Sequence, residues 1–150
     1  MERFRRIMYH KVTVLGNVGT DAKLYDGINS QYIRFSLASN RLIRNSNGVQ
    51  EEVTIWFNIT KSGHDLTGLL AQITKGSRVL VEGVLVADKL SGHPKIFTNK
   101  AGVADAAYEI AADNIVLISH PLPKEKPFIS NLMKTDYDID YDEDNYDEEE

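Results

Sequence analysis

The sequence predicts a mainly β fold: five short strands closing into a small Greek-key barrel, one helix between the third and fourth strands, and an acidic tail outside the barrel. Three observations carry this. Apolar residues before position 120 recur mostly with period two, the spacing of half-buried strands. Only one segment has helical spacing. After three closely spaced prolines the composition turns to Asp, Glu, Tyr and Asn.

In chain order, residues 1–8, with Arg3, Arg5 and Arg6, read as a short flexible arm. That reading is preferred to a mitochondrial presequence because the stretch is short and contains Glu2. The first strand runs from Lys11 to Val18. The second, Gln31 to Ala38, sets Ile33, Phe35 and Leu37 on one face and Tyr32, Arg34 and Ser36 on the other. The third, Val53 to Ser62, sets Ile55, Phe57 and Ile59 toward the core and Trp56, Asn58 and Thr60 away from it. Leu66, Leu69, Leu70 and Ile73 repeat as i, i+3, i+4, i+7, with Asp65 or Ser62 near the start of this helix and Lys75-Gly76 at its end. The fourth strand spans Arg78 to Asp88, with Leu80, Val84 and Val86 on its outer face, and the fifth spans Tyr108 to Ser119. Pro121, Pro123 and Pro127 end the folded part. The folded domain is therefore expected over 9–119, and a linker with a disordered acidic tail over 120–150. This order is that of an OB-fold, whose second and third strands commonly bind oligonucleotides. An SH3-like barrel or a small sandwich would share much of it, so particular residues must decide.

Composition narrows the function. At 150 residues and 42% hydrophobic content the chain suits one domain with an appendage. It has no cysteine, so disulfides, thiolate metal sites and cysteine nucleophiles are excluded and a reducing compartment fits. No apolar run approaches the roughly 18 residues of a membrane span, and no apolar signal segment follows the arginines, so a cytoplasmic protein is expected. His10, His64, His93 and His120 are scattered without metal-ligand spacing, and there is no Gly-rich phosphate loop or nucleophile motif. The tail lacks the glycine and spacing of a calcium loop. No catalytic, metal or cofactor site is expected. The net charge of −5 divides unevenly: residues 1–123 hold 14 Lys and Arg against 11 Asp and Glu, whereas residues 124–150 hold 3 against 11. The barrel is mildly basic and the tail strongly acidic.

Val14-Leu15-Gly16-Asn17-Val18-Gly19-Thr20-Asp21 resembles the first-strand motif of bacterial and mitochondrial single-stranded DNA-binding proteins, in which two glycines let the strand bend sharply. Lys75-Gly76-Ser77-Arg78-Val79-Leu80-Val81-Glu82-Gly83 resembles that family's junction of helix and fourth strand. Arg34-Phe35-Ser36-Leu37-Ala38 and Thr54-Ile55-Trp56-Phe57-Asn58 resemble its second and third strands. The resemblance covers about residues 9 to 119 in order and spacing. It implies an OB-fold, binding of single strands with little sequence preference, a homotetramer and no catalysis.

Trp56 is the leading candidate contact, because alternation places it off the core face and an exposed aromatic ring offers a stacking platform for any base. Arg34 and Asn58 share the neighbouring outer faces. Arg41 and Arg44 lie around an Asn47-Gly48 turn in the loop from Asn40 to Glu52. Lys89, Lys95 and Lys100 with Phe97 follow the fourth strand, and Lys11 opens the first. These make basic fingers with an aromatic interleaved. The family's further rings have no counterpart: Leu42 or Ile43, Ser62 and Leu90 stand there, which predicts weaker binding. The apolar outer face of the fourth strand is expected at a subunit interface.

In the tail, Asp136, Tyr137, Asp138, Ile139, Asp140, Tyr141, Asp142, Glu143, Asp144, Tyr146 and Asp147 form the expected partner-binding stretch. The bacterial family's tail docks replication and repair proteins through an apolar tip, but this chain ends Tyr146-Asp147-Glu148-Glu149-Glu150. Electrostatic recruitment, or folding back onto the basic groove, is expected instead. The alternative is an OB-type protein-interaction module in which Trp56 and the fourth strand contact protein.

Overall fold

The computed structural model describes residues 8–121. The arginines of the N-terminal arm and all the tail residues expected to bind partners lie outside the described residues. Among the described residues, eight strands and one helix follow one another: β1 (Val12–Val18), β2 (Lys23–Asp26), β3 (Gln31–Arg44), β4 (Gln50–Gly63), α1 (Thr67–Gln72), β5 (Arg78–Leu85), β6 (Ile96–Thr98), β7 (Ala104–Ala106) and β8 (Tyr108–Ser119). The main sheet has the order β1-β5-β8-β4-β3-β2, and an extra pairing of β1 with β3 closes it into a barrel. All its pairs are antiparallel except β4 with β8. β2 is an added edge strand on β3. β6 and β7 form a separate hairpin in the connection from β5 to β8.

Period-two patterning puts the core where it was expected. Ile33, Phe35 and Leu37 of β3, Ile59 of β4, Val79 and Val81 of β5 and Ile110 of β8 are buried, and Leu66 and Ile73 join them from the ends of α1. Each such side chain contributes roughly 1.5 to 3 kcal/mol relative to exposure. Glycines make the closure possible. A Cβ on Gly16 would lie 2.5 Å from the Ala38 carbonyl oxygen, so β1 reaches β3 only because that carbon is absent. A Cβ on Gly83 would collide with the Ala111 carbonyl, where the β5–β8 register shifts between Glu82 and Gly83.

Several boundaries differ from expectation. Asn40 to Glu52 is not a loop: β3 and β4 continue in unbroken register to Arg44 and Gln50, and only residues 45–49 turn. This long hairpin projects past the barrel, where Asn40 to Arg44 and Gln50 to Thr54 are exposed among the described residues, so the apolar alternation lapses. Ile55 and Phe57, near its base, are half-buried rather than buried. The fourth barrel strand stops at Leu85, short of Asp88. The helix is six residues long, and Gly76, at φ +88°, belongs to the turn after it rather than to its cap. There the Ser77 amide donates to the Thr74 carbonyl at 3.0 Å. Asp65 does stand before the helix, accepting from the Thr67 hydroxyl at 2.7 Å and from the Thr67 amide at 3.3 Å. β2, β6 and β7 were not foreseen.

Candidate nucleic-acid interface

The outer face of β3 and β4 is built by strict register. Tyr32, Arg34, Ser36 and Ala38 stand opposite Ser62, Thr60, Asn58 and Trp56. Trp56 is 55% exposed, as its place off the core face requires. Its ring extends over Gly19, where a Cβ would lie 2.5 Å from the ring atom Cζ3 and 2.7 Å from the Ser36 hydroxyl. The second glycine of the first-strand motif therefore makes room for an aromatic side chain. Neither Gly16 nor Gly19 has a positive φ, so close approach rather than backbone freedom explains both.

Two clefts flank Asn58. One, of about 350 Å³, is bounded by Trp56, Asn58, Phe97, Asp105 and Tyr108. The other, of about 330 Å³, is bounded by Thr20, Lys23, Tyr25, Arg34, Ser36 and Asn58, with Asp21 and Phe35. Three of the expected residues, Trp56, Asn58 and Phe97, thus meet in one cleft, and Arg34 joins Asn58 in the other. The Tyr108 ring tilts against Phe57 with centroids 5.8 Å apart.

The cations divide. Arg34 reaches across β4 to Glu109, 3.8 Å away, which puts a carboxylate on the candidate face. Lys11 pairs with Glu82 at 3.1 Å and lines neither cleft; this hydrogen bond holds its ammonium pKa above the ordinary value. Alternation places Arg44 on the Trp56 face of the hairpin and Arg41 on the opposite one, so the two share one finger but not one face. Lys89, Lys95 and Lys100 sit on the connection that carries β6 and β7, outside both clefts. That connection is anchored by Asp88, which accepts from the amides of Ser91 and Leu90 at 3.0 Å. The Ser91 bond first and the Leu90 bond next lower its carboxyl pKa, with a smaller contribution from Lys95.

Sequence reading missed Lys23, Tyr25, Thr20, Tyr108 and Glu109. Lys23-Leu24-Tyr25 does alternate, with Leu24 packed against the core, but four residues are too few for the period to stand out. Among the described residues, no group of three or more His, Cys, Asp or Glu side chains is placed to hold a metal ion. No described helix is long and apolar enough to cross a membrane.

The model of the single-strand binding protein family matches residues 9–118. A curated single-stranded DNA-binding protein of Aquifex aeolicus is 30% identical over 115 residues, spanning 76% of this chain and 73% of the relative. One from Helicobacter hepaticus is 27% identical over 123 residues, spanning 81% and 68%. Among solved structures, the small single-stranded DNA-binding protein from Streptomyces coelicolor superposes with a TM-score of 0.57 at 20% identity, over 72% of this chain and 93% of that one. The Plasmodium falciparum SSB in complex with single-stranded DNA superposes at 0.59 and 20%, over 77% and 100%. These likenesses establish the OB-fold barrel.

Proposed function

From the premise that the chain belongs to the single-strand binding protein family, whose members are binding proteins and not enzymes, we propose that its barrel binds single-stranded DNA through the outer face of β3 and β4. The observation that carries this reading is Trp56, more than half exposed, held over Gly19 and bordering a cleft that also receives Phe97. Stacking needs only the flat face of a base, so such a surface accepts strands with little sequence preference. Titration with oligo(dT) tests it. Trp56 is the only tryptophan, so its emission quenches on binding, and affinity falls steeply with salt as phosphates release counterions.

The carboxylates Asp105 and Glu109 at this face favour a second reading, a protein-contact surface. It would bind with little salt dependence and without quenching by oligo(dT). We propose further that the protein is a homo-oligomer. Leu15, Leu80 and Val116 stand directly opposite one another on the outer faces of β1, β5 and β8, extending the apolar patch expected from Leu80, Val84 and Val86. A monomer in sedimentation at micromolar concentration would refute this. The acidic tail is assigned the recruitment of replication and repair proteins by charge, to be tested by pull-downs with and without residues 134–150.

A further inference from the structure

The geometry points to a second nucleotide site on the edge strand β2: one backbone phosphate lies between Lys23 and Arg34, and the adjoining base lies against the Tyr25 ring. The inference rests on the proposed single-stranded DNA surface and extends it to a strand outside the five of the barrel.

Lys23 and Arg34 are direct cross-strand partners, and both border the same cleft. Like charges opposite one another in an antiparallel pair are unfavourable, and an anion between them removes the penalty. Among the described residues, no carboxylate lies within ion-pair distance of Lys23, and Arg34 has only the long 3.8 Å contact to Glu109. The hydroxyls of Thr20 and Ser36, 3.2 Å apart, border the cleft; one donates to the other, which leaves one hydroxyl proton to donate to a phosphate oxygen. The one carboxylate among its walls, Asp21, is already engaged by the Lys75 amide at 2.7 Å.

Tyr25 supplies the stacking surface. Its ring lies parallel to that of Tyr32, with centroids 5.2 Å apart and planes 12° from one another, so one face is held by the partner strand. The residue remains 40% exposed and borders the cleft, while Tyr32 does not. A ring fixed on one side and open on the other stacks without first losing rotational freedom. The cleft matches the Trp56 cleft in size and shares Asn58 with it, so one strand can seat a base on Trp56, cross Asn58 and seat a further base on Tyr25.

The test uses the full chain and oligo(dT) of about 16 nucleotides, the upper end of what one such barrel covers. Tyr25→Ala is expected to weaken binding roughly five- to a hundred-fold, and Tyr25→Phe to leave it near that of the unaltered protein. Lys23→Ala is expected to reduce the salt slope by about 0.7, and Lys23→Arg to restore it. Trp56 emission stays quenched at saturation in every variant. Unchanged affinity in Tyr25→Ala together with an unchanged slope in Lys23→Ala would overturn the second site while leaving the proposed function standing. If Tyr25→Ala melts early, the slope of Lys23→Ala decides alone, because Lys23 is exposed and bears no packing. An unaltered protein that neither binds nor quenches would overturn the proposed function, and this site with it.

Discussion

Trp56 and Phe57 are adjacent in sequence and turn to opposite sides of β4, so their replacements separate binding from folding. Trp56→Ala is expected to lower affinity for single-stranded DNA by roughly 1 to 3 kcal/mol with no change in melting. Phe57→Ala is expected to cost about 3 kcal/mol of stability, the low end of the usual range, because the ring is only half-buried. Calorimetry and oligonucleotide titration of the two variants check both expectations. Gly19 offers a subtler probe, since its missing Cβ is what the Trp56 ring occupies. Gly19→Ala pushes the ring aside and is expected to shift Trp56 emission in the free protein and to weaken binding, although residue 19 need not touch DNA. Emission identical to that of the unaltered chain would mean that the ring does not rest there. Trp56 was legible from the sequence because a long alternating run fixed its side. Glu109 was not, because no pattern in one strand reports what stands across two others.

The β3–β4 hairpin shows where period-two reading stops. Inside the barrel one face is buried, and alternation is enforced from Ile33 to Leu37. From Asn40 to Arg44 both faces meet solvent, so polar and apolar residues mix and only the turn remains visible. That turn is specified locally: Asn45 Oδ1 accepts from the amides of Asn47 and Val49 at 3.0 Å, and Gly48 takes φ +78°. The two faces are nevertheless expected to differ in function. Arg44→Glu is expected to weaken binding and flatten its salt slope by at least about 0.7, whereas Arg41→Glu, on the far face, is expected to change it little. Equal effects, measured by titration at several salt concentrations, would show that DNA wraps both faces. The helix was legible in its apolar stripe but not in its length, because Leu66 and Ile73 are buried outside its first and last turns-forming residues. The connection carrying β6 and β7 depends on the Asp88 carboxylate. With a folded pKa depressed below the ordinary 3.8, this group stabilises the connection fully above that value and loses the effect as pH falls through the folded one. Amide signals of Leu90 and Ser91 are expected to keep their hydrogen bonds down to pH 3.8 and to lose them only at lower pH, as the depressed folded pKa is crossed.

For the whole molecule, the succession of strands was readable because alternation marks the second and third, less regular apolar patterning marks the first, fourth and fifth, and the helix falls between the third and fourth. The closure was not, since it depends on two glycines that look alike in sequence yet do different work. The division of charge was readable too. Residues 136–150 carry ten carboxylates, a polyanion able to compete with DNA for the basic face. Removal of residues 134–150 is expected to raise DNA affinity at low salt and to matter little at high salt, where screening shortens the reach of charge. Equal affinity at both would exclude the competition. The barrel also has a thin seam. β1 meets β3 through only two register pairs, Asn17 with Ala38 and Val18 with Leu37, followed by the Gly19 amide bonding the Ser36 carbonyl at 2.9 Å. Every other junction of the barrel has at least four pairs, so local opening should begin here, and Ala38 is the cross-strand partner of Trp56. A strand of DNA lying on Trp56 and Ser36 therefore latches the seam, and its binding free energy adds to the cost of breathing at that point. Hydrogen exchange at the Gly19 amide is expected to slow on saturation with oligo(dT), while exchange at Val79 and Val81, deep in the opposite wall, stays as it was.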